Sequence, residues 1–359
     1  MRKKILVIYT SVGYGHKKIG ENIADVLRAD HEVDTMDILT AVGGKTASQG
    51  TKIYLNILKY LPGLWKFFYT NKLFLAATLP FRTTVARFKA IKVANLIINE
   101  HYDIIICTQV TASAIISYLK QKKMFNGKFV IAFSDFHLHP YWLFKNADLY
   151  LANIVEQKEL MIAKGIPEEI IYICGITLPI PEEVDKEQAR IKYGLTGNDK
   201  MILVLGGGRG LGIESETVSQ LIKSDAKVFI VCGLNAEVKN KMEKFFSGPN
   251  VKIFGFIDYL QELYAIADII VTKPGGLTLA ECLEQRAPIL VTSYIPGGEK
   301  MNLDYLRDNN LVMPEFMDVL GPVEDELKTG SFAKDIRSNE KVKNVVQHGS
   351  IIKEAINNL

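Results

Sequence analysis

Ile269-Ile270-Val271-Thr272 is a short apolar run that Lys273-Pro274-Gly275-Gly276 cannot continue, and Leu277-Thr278-Leu279-Ala280-Glu281 then restores a helical pattern. A continuous apolar run of this length, bounded by turn residues, reads as a strand covered on both faces, which implies a parallel sheet with crossover helices. Equivalent runs recur at Ile5 to Tyr9, Ile104 to Cys107, Phe129 to Phe133, Leu149 to Ala152, Ile202 to Leu205, Val228 to Val231 and Ile289 to Val291. Helical patterns fall between them at Ile19 to Leu27, Val85 to Glu100, Glu216 to Lys223, Glu237 to Phe246, Tyr259 to Ala267 and Leu277 to Glu284. Around Gly175 to Glu183 two prolines interrupt the alternation before a fresh series begins, so a hinge is expected at Thr177 to Pro181. The fold class is therefore α/β, with two Rossmann-like, doubly wound parallel-sheet domains facing a central cleft. The expected boundaries are 1–178 and 186–335, followed by a C-terminal helix within 336–359.

The composition suits such a chain. With 359 residues, 48% hydrophobic and 23% charged, it is long enough for two domains and neither disordered nor fibrous. Cys107, Cys174, Cys232 and Cys282 are far apart with no C-x-x-C pair, which argues against a zinc knuckle or a disulfide framework and for a reduced cytosolic setting. The apolar start, Ile5 to Tyr9, runs straight into Gly13-Tyr14-Gly15-His16 and reads as a first strand rather than a signal peptide. No stretch reaches the roughly 18 uninterrupted apolar residues that a membrane-spanning helix requires.

The net charge of +3 hides an asymmetry. From Ile38 to Asn99 there is no Asp or Glu, while Lys45, Lys52, Lys59, Lys66, Lys72, Arg82, Arg87, Lys89 and Lys92 are all basic. The rest of the chain is consequently net negative. Tyr54, Tyr60, Trp65, Phe67, Phe68, Tyr69, Phe74, Phe81 and Phe88 crowd the same segment. Lysines interleaved with aromatics suit a surface lying on anionic lipid headgroups. A helical hairpin with core aromatics and a solvated lysine face is the plainer explanation, and the absence of any nucleic-acid module argues against nucleic acid.

Ligands of doubly wound sheets bind beyond the carboxyl ends of strands, which directs attention to the loops there. In Gly206-Gly207-Gly208-Arg209-Gly210-Leu211-Gly212 the glycines let backbone approach a phosphate, although a tight ligand-free turn explains them equally well. The bend at Lys273 to Gly276 opens a helix whose uncapped start can hold a diphosphate. Glu281, a turn further on, is placed either to accept hydrogen bonds from a ribose diol or merely to offset the helix dipole. Glu299 and Asn302, three residues apart after Tyr294-Ile295-Pro296-Gly297-Gly298, share a helix face and suit sugar hydroxyls. Beyond the first strand, His16 is a candidate proton relay, and Asp135 in Ser134-Asp135-Phe136-His137-Leu138-His139 is positioned to orient or replace it. His137 and His139 lack a third neighbouring metal ligand, so no metal is expected there. Gly43-Gly44-Lys45-Thr46 imitates the end of a P-loop, but Leu39 stands where its first glycine belongs. There is no D-x-D to hold a divalent ion, so Arg209, Lys273 and backbone amides must neutralise any diphosphate.

Taken together, the Gly15-His16 loop, the Gly206 to Gly212 turn, Gly255-Phe256-Ile257-Asp258 with its following helix, Lys273 to Glu281 and the Glu299/Asn302 pair resemble the two-domain lipid glycosyltransferases of GT-B type. The similarity is greatest to processive diacylglycerol glucosyltransferases and monogalactosyldiacylglycerol synthases, and it spans Ile5 to about Asn310. The resemblance implies a UDP-hexose donor in the second domain and no cofactor or metal. Glu281 takes the ribose, Gly207, Gly208, Arg209, Lys273, Gly275, Gly276 and Thr278 the diphosphate, Phe256 and Ile257 the uracil, and Glu299 and Asn302 the hexose. It implies His16 and Asp135 as catalytic residues, with Gly15, His137 and Trp142 facing the acceptor, and inversion to a β-linkage. The acceptor it implies is diacylglycerol or a glycosyl-diacylglycerol, reached from the cytoplasmic face of the cell membrane through Lys52, Lys59, Trp65, Lys66, Phe67 and Phe68. It also implies that the C-terminal helix, read as Asn339 to Leu359, returns to the first domain. Gly298, where glutamine is usual, and Ser134, where threonine commonly stands, depart from the pattern and leave glucose or galactose open. A UDP-GlcNAc-type transferase acting on a polyprenyl-linked or small-molecule acceptor, and a non-catalytic nucleotide-sugar-binding protein, are the competing readings.

Overall fold

The computed structural model describes residues 2–41, 56–58, 60–258, 260–314 and 318–359. It divides into two units, each with its own parallel sheet. The first comprises Met1–Pro179, Ile295–Gly298 and Asn344–Leu359, and the second Ile180–Tyr294 and Glu299–Lys343.

In the first unit the strands β1 (Lys4–Tyr9), β2 (Glu32–Asp37), β3 (Ile104–Cys107), β4 (Lys128–Ala132), β5 (Leu149–Ala152) and β6 (Ile171–Ile173) lie in the order β2-β1-β3-β4-β5-β6. All are parallel, and β1 pairs with β3 in the register Ile5↔Ile104 to Ile8↔Cys107. The second unit holds β8 (Met201–Leu205), β9 (Lys227–Val231), β10 (Val251–Phe254), β11 (Ile269–Thr272) and β12 (Ile289–Val291), in the order β10-β9-β8-β11-β12. Reversal of strand order puts a topological switch point between β1 and β3 in one sheet and between β8 and β11 in the other. Those are the places where loops diverge and leave room for a ligand.

All eight strands expected from apolar runs are present. Among the described residues there are five further strands, namely β2, β6, β10 and the short β7 (Ile176–Thr177) and β13 (Val346–Gln347), the last two paired with each other. β2, β6 and β10 form sheet edges, and β2 carries the polar sequence Glu-Val-Asp-Thr-Met-Asp that a half-covered edge permits. The six expected helices also form, for example at Tyr14–Arg28, Arg82–Ile98 and Gly276–Glu284. The expected single helix from Asn339 to Leu359 needs correction: a short helix at Val342–Val345 gives way to β13 before a second helix at Ser350–Asn357. Gly349, at φ +87°, breaks the helical path.

The terminal helix brings a buried histidine into the first unit's frame. His31 is 3% exposed and its Nδ1 accepts from the Lys3 N–H (3.3 Å), while Lys3 Nζ donates to the Ile356 carbonyl (2.8 Å). Burial, then the neighbouring Lys3 charge, lowers the His31 pKa from the ordinary 6.5. Burial likewise lowers that of His139. A histidine with a lowered folded pKa leaves the unfolded chain binding more protons, so its contribution to stability is complete above about pH 6.5 and declines as pH falls through that value. Both tryptophans, Trp65 and Trp142, lie in the first unit, so their fluorescence reports on it alone. We expect the urea midpoint followed this way to drop between pH 7.5 and pH 5.5 on the order given by the histidine pKa, with a shallower slope in His31→Gln. An equal slope in that variant clears His31.

Candidate functional site

In the first unit the site begins at the β1/β3 switch point. The helix Tyr14–Arg28 starts after Gly13, which offers no side-chain cap. His16 Nδ1 lies 2.9 Å from the Thr108 carbonyl just beyond β3, and Thr108 Oγ1 donates to the His16 carbonyl at 3.1 Å. A carbonyl only accepts, so Nδ1 carries the proton and the neutral ring keeps its lone pair on Nε2, the arrangement a general base needs. Gly15 sits one residue before, in the same half-buried first turn.

Beyond β4, two buried side chains hold the Ser134 to His139 loop. Asn153 Nδ2 and Gln157 Nε2 donate to the Asp135 carbonyl (2.9 and 2.8 Å), and Gln157 Nε2 also donates to the His137 carbonyl (2.8 Å). The Asp135 carboxylate accepts from Ser134 Oγ at 3.1 Å. His137 Nε2 is hydrogen-bonded to Tyr69 Oη (2.7 Å). His139 is buried with both ring nitrogens engaged: Nε2–H donates to the Tyr69 carbonyl (3.0 Å) and Nδ1 accepts from Tyr141 N–H (3.3 Å). The loop is thereby tied to Tyr69, at the end of the helix Pro62–Thr70.

That helix buries none of its residues. Leu61, Leu64 and Phe67 (49% exposed) are open to solvent beside Lys66, and Leu73 of the next helix, Lys72–Thr78, is 82% exposed. Trp65 and Phe68 are half-buried, and Phe68 packs on Phe74 at 4.9 Å between ring centroids. Lys52 and Lys59 lie outside the described residues, as does the Gly43 to Thr46 sequence. Two expectations change. Trp142 is buried against Phe133 at 5.4 Å in the unit's core, which removes its ring from direct contact with a lipid headgroup. Arg82 is internal too, donating to the Pro140 and Tyr141 carbonyls (3.0 and 3.1 Å) with its guanidinium over the Phe144 ring.

In the second unit the loops after β8 and β11 flank the other switch point. Gly210 has φ +64°, and a Cβ there would stand 2.3 Å from the Cys232 carbonyl oxygen; one on Gly233 would stand 2.5 Å from that of Gly207. The loop after β8 is thus locked against the loop after β9, and Leu234 N–H donates to the Gly208 carbonyl (3.0 Å). After β11, Gly275 occupies the N-cap of the helix Gly276–Glu284 and has no side chain to cap it. The first-turn N–H groups of Gly276, Leu277 and Thr278 therefore lack a side-chain cap, and the helix dipole adds to them. Gly275 contributes differently from expectation, since its own N–H donates to the Lys273 carbonyl at 2.9 Å.

Lys273 Nζ forms an ion pair with Glu299, and Asn302, fully buried, donates from Nδ2 to the Pro274 carbonyl at 3.1 Å. Asn302 accordingly stands behind the turn and fixes it. Glu281, half-buried, accepts from Tyr264 Oη at 2.9 Å. Arg209 and Ile257 are half-buried, and Phe256 is 41% exposed in the loop after β10. The sequence reading missed Thr108, Asn153, Gln157, Tyr69 and Tyr264, whose roles exist only through contacts with distant parts of the chain. Among the described residues no group of three His, Cys, Asp or Glu is placed to hold a metal ion. No helix there is long and apolar enough to cross a membrane.

Residues 16–179 match the family described as monogalactosyldiacylglycerol (MGDG) synthase, and residues 201–305 match the glycosyltransferase family 28 C-terminal domain. The chain is a glycosyltransferase that carries both of these family domains. The transferase is 26% identical over 329 residues to the processive diacylglycerol beta-glucosyltransferase of Staphylococcus carnosus, covering 86% of this chain and 80% of that one. Its identity to the Bacillus pumilus protein of the same name is 25% over 361 residues, with 94% and 91% covered. A glycosyltransferase structure from Streptomyces sp. SF2575 superposes with a TM-score of 0.65 at 13% identity, over 99% of this chain and 100% of that one, so the transferase shares the GT-B fold.

Proposed function

We propose that this transferase moves a hexose from a UDP-sugar to diacylglycerol or a glycosyl-diacylglycerol at a membrane surface, with inversion at the anomeric carbon. The observation that carries the reading is the order of its two domains, a monogalactosyldiacylglycerol synthase domain followed by a family 28 donor-type domain. Relatives that match across most of the chain are named processive diacylglycerol beta-glucosyltransferases.

The donor's diphosphate lies at the start of the helix Gly276–Glu284, neutralised by its N–H groups, Lys273 and Arg209 without a divalent cation. Glu281 accepts from the ribose diol, and Phe256 covers the uracil. In the first unit, His16 Nε2 takes the proton of the acceptor hydroxyl as oxygen attacks the anomeric carbon, the bond to the UDP oxygen breaks, and UDP departs with the negative charge that the helix start stabilises. Asp135 is the second candidate for the base. The exposed Leu64, Phe67 and Leu73 with Lys66 and Lys72 rest on an anionic lipid surface and present the unit to its acceptor.

The test is one incubation of the purified protein with radiolabelled UDP-glucose or UDP-galactose and vesicles of diacylglycerol in anionic phospholipid. Labelled glycosyl-diacylglycerol from one donor is expected. Label only on a polyprenyl-linked acceptor, or none on any lipid, rejects the proposed acceptor. In the same vesicles, Phe67→Ser with Lys66→Glu is expected to weaken vesicle affinity by about fiftyfold or more, the loss of one buried aromatic and one basic contact. Undiminished sedimentation removes that helix from the lipid surface.

A further inference from the structure

Gln157 is 0% exposed on the helix Val155–Ala163, where it shares the buried face with Met161 one turn further on. An apolar side chain serves packing at such a position, and a buried amide is unfavourable unless its hydrogen bonds are made. Gln157 makes them to the loop beyond β4. Its Oε1 accepts from the Asn153 N–H (2.7 Å), while its Nε2 donates to the Asp135 and His137 carbonyls (2.8 Å each). Two acceptors on one side and a donor on the other fix the amide, since turning it over sets its oxygen against two oxygens. Asn153, 1% exposed, adds a second brace, its Nδ2 donating to the Phe133 carbonyl (3.2 Å) as well as to that of Asp135 (2.9 Å). Along the loop Ser134 and Phe136 are buried, whereas Asp135 and His137 are half-buried. One side-chain amide therefore holds the backbone of both residues that this loop offers to a ligand.

We propose that Gln157 is a positioning residue for the acceptor, its amide setting the one loop arrangement in which the acceptor hydroxyl meets Asp135 and His137; this rests on the acceptor reading above. Without the clamp the loop divides among several arrangements, and apparent acceptor affinity falls with the fraction that is competent to bind. Misplacement of the reacting oxygen then lowers turnover as well. The loops assigned to the donor belong to the second unit, so donor affinity is expected to be retained.

The test is steady-state transfer by the full chain from UDP-glucose and UDP-galactose to diacylglycerol in mixed micelles, varying donor concentration and the surface fraction of diacylglycerol in turn. Gln157→Met keeps the length of the side chain and removes both hydrogens; Gln157→Glu keeps its shape and has at most one hydrogen to give where two are accepted. Each is expected to lower kcat/KM for diacylglycerol about tenfold to a hundredfold, with a raised acceptor KM, while the donor KM moves less than about twofold. Asn153→Ser leaves the Gln157 donors in place and is expected to cost about twofold to fivefold in the same direction. It keeps the test available if unsatisfied buried groups unfold the Gln157 variants. A side chain that serves stability alone gives another pattern: Vmax and the number of UDP-binding sites found by calorimetric titration fall together, and both KM values stay as in wild type. That pattern, or an unchanged acceptor KM in folded variants, overturns the positioning role while leaving the acceptor reading intact. A wild-type protein that forms no glycosyl-diacylglycerol from either donor removes the acceptor reading, and the positioning role with it.

Discussion

His16→Ala is expected to lower kcat by about two to four orders of magnitude, the range for losing a positioned general base, while UDP-sugar affinity stays within about twofold. His16 lies at the switch point of the first sheet, where its Nδ1 and its backbone carbonyl are both hydrogen-bonded to Thr108. Because the Thr108 carbonyl fixes Nδ1 as the protonated nitrogen, Nε2 is the only ring atom able to take a proton. Asparagine at position 16 preserves an amide donor to that carbonyl without supplying the base, so His16→Asn should lose as much turnover as His16→Ala while keeping more of the native melting temperature. Single-turnover release of labelled UDP, with donor affinity measured separately, separates chemistry from binding. Near-normal turnover in both variants acquits His16, and the same assay on Asp135→Asn then decides whether the carboxylate is the base.

The residues legible in the sequence were those whose role is local. Ile269 to Thr272 and Ile5 to Tyr9 announce themselves because helices cover both faces of a central parallel strand and every position must be apolar. β2, β6 and β10 lack a neighbour on one side, so β2 retains Glu32, Asp34 and Asp37 and gives no continuous run. The glycine turns were equally visible, since a positive φ at Gly210 or a missing Cβ at Gly233 is a constraint that one residue type meets. The second layer of the site was not visible. Thr108 lies 92 positions from His16, Tyr264 lies 17 from Glu281, and Gln157 lies 22 from Asp135, and no period or motif links members of these pairs. Trp142 misleads for a related reason: a loop aromatic between Pro140 and Leu143 looks presentable to a ligand, yet the Pro140–Trp142 turn folds it inward onto Phe133. Asn302 shares a helix face with Glu299, but the two serve different ends, one bracing Pro274 from behind and the other reaching Lys273.

Glu281→Ala is expected to weaken UDP affinity by about a hundredfold to two hundredfold, since a carboxylate gripping a ribose diol makes two charge-assisted hydrogen bonds of roughly 1.5 kcal/mol each. The competing explanation, compensation of the helix dipole, is poorly served by its position. The helix runs Gly276–Glu284 with no acidic residue in its first turn, and Glu281 lies beyond the range over which the dipole is felt. Tyr264 supplies the positive argument. Its phenol, buried and donating to Glu281 at 2.9 Å, has a pKa held well above the ordinary 10, by burial first and by the neighbouring carboxylate second. It therefore remains a proton donor throughout any practicable assay pH and holds the carboxylate in one orientation before the nucleotide arrives. Tyr264→Phe should then cost about three- to tenfold in UDP affinity through the loss of one such hydrogen bond, with UDP and uridine affected alike because the ribose is common to both. A dipole role predicts another outcome: Glu281→Gln would shift the melting temperature slightly and leave both ligands bound as before. Nucleotide affinity that survives Glu281→Ala and Tyr264→Phe together would place the ribose elsewhere in the second unit.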